Sequence, residues 1–94
     1  MKEFKEGRNI DPALLADQRF QNLLGKTETH QRKFRPLETE RLEKDNLLIQ
    51  TLLERTQTCW LALKSARQGG MTMLEAQEIA FPIILLPDEN EDLD

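Results

Sequence analysis

The chain of 94 residues has no tyrosine and only one tryptophan, one cysteine and one histidine. With Cys59 alone, no disulfide can form within the chain, and the sequence suits a reducing compartment. A zinc site takes about four Cys, His or carboxylate ligands. His30 and Cys59 have no companions at ligand spacing, so no metal and no cofactor are expected. The same pair is the only Cys/His couple for nucleophilic catalysis. Cys59 falls on an apolar helical stripe beside Trp60, where a thiol behaves as a small hydrophobe. A phosphate loop is missing as well: Gly69-Gly70 has neither the lysine nor the preceding strand such a loop needs. No apolar run approaches the ~18 residues of a membrane span. The start, Met1-Lys2-Glu3-Phe4-Lys5-Glu6, is charged rather than signal-like. The expected location is the cytoplasm, with no membrane partner.

Basic residues are absent from one end. Residues 71–94 hold seven acids and no base, whereas residues 1–35 hold eight bases against five acids. The acidic end is unsuited to nucleic acid or anionic lipid. Apolar residues make up 38% of the chain and charged residues 32%, so any core is small and is a candidate for completion by a partner.

Helical signals dominate what is present. Asp11-Pro12 reads as an N-cap followed by proline at the first helical position. Leu14, Leu15, Phe20, Leu23 and Leu24 follow, and Gly25 reads as a stop, which predicts a helix over 12–24. Residues 26–35 show no helical periodicity and read as a basic connector. Pro36 then opens a stretch without Gly or Pro, predicting one long helix over 37–68. Its acids gather at the start and its bases at the end, as the helix dipole favours. Leu48, Ile49, Leu52, Leu53, Thr56, Cys59, Trp60, Leu63 and Ala66 form one broad stripe along it. Trp60, the largest of them, is expected in the core. Gly69-Gly70 ends this helix, and Thr72-x-x-Glu75 is a capping box for a third helix over 73–81. In that helix Leu74, Ala76, Ile79 and Ala80 are expected to pack back. Pro82 breaks the ladder, and residues 83–86 are too short a run to assign by periodicity.

The expected architecture is all-α: a helical hairpin or three-helix arrangement with a long central helix. It is a single domain over 11–87, between a flexible segment over 1–10 and a disordered acidic tail over 88–94. Two surfaces stand out. Leu47 and Leu61 lie opposite the stripe, and together with Ile83, Ile84, Leu85 and Leu86 they exceed what a short hairpin can hide, which marks a protein interface. Arg32, Lys33, Phe34 and Arg35 place three bases around an aromatic ring, a pattern that meets phosphates and stacks a base. Glu75 and Glu78 share a helical face, but no cleft-lining polar group accompanies them for acid–base chemistry. The leading expectation is therefore a non-enzymatic protein-interaction module, with a protein partner or self-association through the long helix. The alternative is a nucleic-acid accessory protein using residues 30–35. Against the alternative, the third helix carries two acids and no base, the opposite of a DNA-reading helix.

Overall fold

The structure, a computed structural model, describes residues 12–87. The expectations for the N-cap Asp11, the segment 1–10 and the tail 88–94 lie outside the described residues. The fold is all-α, and no strand occurs among the described residues. The helices are α1 (Pro12–Leu15), α2 (Gln18–Phe34), α3 (Pro36–Lys44), α4 (Leu48–Gln68) and α5 (Met73–Ala80), followed by a 3-10 turn at Phe81–Ile83. α4 is central, with α2 and α5 both packed against it and α3 bridging α2 and α4.

The expected helix over 12–24 is two helices. α1 is a single turn, and Asp17 starts a new helix because its carboxylate accepts from the Arg19 amide at 2.8 Å, a capping bond that favours extended backbone at this residue. Gly25 does not stop α2, which runs two and a half turns further. Residues 26–34 are thus helix, not connector. The buried positions Phe20, Leu23, Thr27 and Gln31 recur at helical spacing, but the last two are polar. Thr27 and Gln31 find partners on α3 and α4, so the inward face of α2 continues where its hydropathy stops.

The expected long helix over 37–68 is also two. Asn46 sits at a φ of 61°, in the left-handed region that Asn tolerates better than most residues. The Asn46 amide reaches the Glu43 carbonyl at 3.1 Å and the Leu47 amide reaches the Leu42 carbonyl at 2.8 Å, the paired bonds of a Schellman helix end. Gly70 repeats the arrangement at the end of α4. Its φ is 97°, and the Gly70 and Met71 amides donate to Arg67 and Ala66 carbonyls at 3.0 and 3.1 Å. After this turn the capping box of α5 is complete: Thr72 Oγ1 accepts from the Glu75 amide, and Glu75 Oε1 accepts from the Thr72 amide.

Pro36 has no amide hydrogen and pushes Arg35 out of the helical region, to φ −135° and ψ 59°. Thr39 Oγ1 lies 2.8 Å from the Arg35 carbonyl and 3.0 Å from that of Gln31, so a buried hydroxyl covers acceptors at the break.

The core contains Leu23, Cys59, Ala80 and Ile84, with Phe20 as the fully buried aromatic. Cys59 is buried as expected, and desolvation pushes its thiol up to about 11. Trp60 is only half-buried, unlike the core placement expected of it. Its ring meets Phe20 edge to face at 5.7 Å, while its other side opens outward. Ile49, in the first turn of α4, is 67% exposed rather than part of the covered stripe. On α5, Ala76 and Ala80 are buried as expected, but Leu74 and Ile79 are exposed. Small side chains let α5 approach α4 closely, and this turns the larger ones outward.

Candidate functional site

The basic segment occupies the last turns of α2, where its charges are already engaged. The Arg32 guanidinium donates to Glu28 at 3.0 Å and to Glu43 at 3.1 Å, and these bonds raise its pKa. Arg35 donates to Glu38 at 2.8 Å and, through its other arm, to the Pro87 carbonyl at 2.7 Å. The Phe34 ring meets His30 with centroids 4.6 Å apart and planes tilted by 36°, and the Lys33 ammonium lies 5.3 Å from the centroid of the Phe34 ring. Since the Leu86 carbonyl can only accept, His30 Nε2 donates to it across 2.7 Å. The segment thereby ties the chain after α5 onto α2, and two of its three bases face carboxylates of their own chain.

Beside it lies a polar node between α2, α3 and α4. Glu38 accepts from Gln31 at 2.9 Å and from Arg35, and its second oxygen lies 3.4 Å from Arg55. Arg55 also donates to the Gln31 side-chain carbonyl at 2.7 Å. Desolvation opposes ionisation of Glu38, but the hydrogen bonds from Gln31 and Arg35 and the two nearby arginine charges outweigh it. The carboxyl is held at about 2. A carboxylate this firmly ionised is a poor proton shuttle near neutral pH; its partners fit a structural clamp. Among the described residues no group of three or more His, Cys, Asp or Glu is placed to hold a metal ion.

The second region is an open cleft of about 930 Å3 between the start of α2, the end of α4 and α5. Its apolar floor is formed by Leu14, Leu23, Trp60, Leu63, Met73 and Phe81. Leu61, 53% exposed, stands at its edge. Among the described residues the rim carries Arg19, Lys26, Lys64 and Arg67 against one acid, Asp17. Arg19 already bonds Asp17 and lowers its pKa. The Arg19 guanidinium also sits 5.7 Å from the Trp60 ring centroid, and Lys26 sits 5.5 Å from that of Phe81. Gln77 and Phe81 form a ridge shared with a smaller groove of about 380 Å3, which Leu74, Glu78, Pro82 and Leu85 also line.

The expected interface residues are therefore divided. Leu61 and Leu85 border these two depressions, whereas Leu47 lies exposed at the turn between α3 and α4. Ile84 is core, Ile83 packs against the core, and Leu86 is half-buried. The run over 83–86 thus closes the hydrophobic centre more than it faces outward. Along α4 only the inward part of the stripe, Leu48, Leu52, Thr56 and Cys59, is buried within the chain, while Ile49 is exposed and Trp60 and Leu63 line the cleft. The basic rim escaped sequence reading because its four members come from distant positions and form no charge run. Met73 follows a turn and Trp60 lies on the apolar stripe, so neither position carries a local sign of exposure.

None of the family models, curated proteins or solved structures compared with this chain matches it. Among the described residues no helix is long and apolar enough to cross a membrane.

Proposed function

We propose that this chain is a non-enzymatic interaction protein of the cytoplasm that holds a protein partner in the cleft between α2, α4 and α5. The observation carrying this reading is the open cleft's apolar floor, Leu14, Leu23, Trp60, Leu63, Met73 and Phe81, under a polar rim. Leu61, Met73 and the open side of Trp60 lie within one concavity. Single exposed apolar side chains are ordinary on a protein surface, but a contiguous apolar patch ringed by polar groups is the mark of an interface. An aromatic anchor beside arginine is the residue chemistry that dominates binding energy at such surfaces.

Site-specific photo-crosslinking tests the reading. A photoreactive side chain at Leu61 is expected to give a discrete protein adduct, while the same group at Leu37, exposed on α3 away from the cleft, gives none. Adducts of equal yield at both positions would show that the cleft is not special. Nuclease treatment leaves the Leu61 adduct unchanged if the partner is protein.

A further inference from the structure

The charge around the cleft narrows the choice of occupant, and the chain itself carries the complement. The outer face of α5 presents Leu74, Glu75, Glu78 and Ile79, all exposed, with Leu74 at 68%. This is an acidic amphipathic surface on a short helix with no base anywhere in it. The cleft presents the converse, an apolar floor under Arg19, Lys26, Lys64 and Arg67. The two surfaces adjoin along the ridge of Gln77 and Phe81, which lines both the cleft and the groove next to Leu74 and Glu78.

We propose that the cleft takes a second copy of this chain, with the acidic outer face of α5 of each copy laid into the basic-rimmed cleft of the other. A two-fold axis near Gln77 and Phe81 satisfies both contacts at once. Self-complementary patches side by side close at two copies instead of growing into a filament. In this pairing Leu74 and Ile79 leave water for the floor around Trp60 and Met73, and Glu78 meets Lys64. Opposite charges across an interface of this kind set register and association rate, and they weaken as salt screens them. The proposal rests on the reading of the cleft as a protein interface and names its occupant.

Sedimentation velocity of the full chain, from about 1 to 200 µM, spans the range in which a modest interface assembles. The expected result is a monomer–dimer equilibrium that shifts toward monomer at high salt. The Trp60 emission, from the only tryptophan in the chain, moves to shorter wavelength as the dimer forms. Lys64→Glu and Glu78→Lys each place like charges at both symmetric contacts. Each is expected to weaken the dimer by at least about tenfold. An equimolar mixture of the two variants restores dimer, because every cleft then meets a helix of opposite charge. Far-UV circular dichroism of each variant must match the wild-type chain. Should either not, Lys26→Glu and Leu74→Gln take their places, on the opposite rim and the apolar part of the same face. A chain that stays monomeric throughout overturns the proposal. If removal of residues 1–11 from that monomer then shifts the Trp60 emission, the occupant is the chain's own N-terminal segment. A Leu61 adduct to a different protein from such a monomer leaves the interface reading standing without self-pairing. Absence of any adduct removes both. A dimer that neither single reversal weakens would show that the copies meet elsewhere.

Discussion

The Thr56 hydroxyl lies 2.9 Å from the Thr27 hydroxyl across the packed surfaces of α2 and α4, with both side chains buried. Each oxygen also lies within reach of the carbonyl four residues back in its own helix: Leu23 for Thr27 at 3.0 Å, and Leu52 for Thr56 at 2.7 Å. Two hydroxyl hydrogens serve these three contacts. One lies between the oxygens and the other goes to a carbonyl, so neither buried group is orphaned. A pair of this kind joins two helices without charge and sets their relative register.

Replacing Thr56 by Val puts a methyl where an oxygen now sits 2.9 Å from Thr27 Oγ1, well inside van der Waals contact. Overpacking and the lost interhelical bond together are expected to lower stability by about 1–3 kcal/mol. Thr56→Ser retains the hydroxyl and is expected to lose about 1 kcal/mol or less. Urea denaturation midpoints of the two variants check this. A Ser variant weaker than the Val variant would mean that the methyl, not the hydroxyl, matters at this site.

Gly25 lies inside α2 with nothing within 4 Å of the place a Cβ would occupy. Its backbone is helical and its surroundings are solvent, so a methyl meets no obstacle and narrows the unfolded ensemble. Gly25→Ala is expected to raise stability by about 0.5–1 kcal/mol. A lower thermal midpoint in this variant would show that α2 does not run continuously through residue 25.

Asn46 separates α3 from α4 through its left-handed backbone. Asn46→Gly keeps the turn without the penalty a Cβ meets there, while Asn46→Ala is expected to lose about 1 kcal/mol. Alanine also favours continuous helix, so if the turn yields the Ala variant shows a small increase in the overall helical circular dichroism. Amide exchange at Leu47, whose N–H bonds the Leu42 carbonyl at 2.8 Å, reports which outcome holds. Equal stability of the Gly and Ala variants would contradict the positive φ.

Those three sites also show how far the sequence could be read. The all-α class, the turn at Gly69-Gly70 and the Thr72–Glu75 box were legible because each has a local signature. Gly25 misled because a glycine ends a helix only when the backbone turns left-handed. Here burial of Phe20 and Leu23 before it, and of Thr27 and Gln31 after it, carries the helix through. The break at Asn46 has only a weak local trace: the stretch lacks Gly and Pro, and Asp45-Asn46 is its one turn signal. The polar inward face of α2 gives no hydropathy period, since Thr27 and Gln31 are buried by pairing with Thr56 and Arg55 of α4. Such pairing involves residues far apart in the chain and has no one-dimensional trace. The cleft was illegible for the same reason.

Glu38 offers the test with the sharpest dependence on pH. Its carboxyl is held at about 2 in the folded chain against an ordinary value of 4.5. Burial alone would raise it; the bonds from Gln31 and Arg35 and the charge of Arg55 reverse that effect. Because the folded value is depressed, the stabilisation is fully present above about pH 4.5, where both folded and unfolded chains carry the charge. It fades as pH falls toward 2, since only the unfolded chain takes up the proton over that interval. The shift corresponds to roughly 3 kcal/mol at most. Glu38→Gln leaves Arg35 and Arg55 without their carboxylate and is expected to lower stability at pH 7 by a few kcal/mol. The gap between wild type and variant should then narrow steadily between pH 4.5 and 2. Comparing the difference, not the wild type alone, cancels the titration of the other acids. Urea midpoints at pH 7, 4.5 and 3 suffice. A gap that stays constant over this range would mean Glu38 is not held ionised by its two arginines, and the junction of α2, α3 and α4 would have to be held by Thr39 and the apolar core instead.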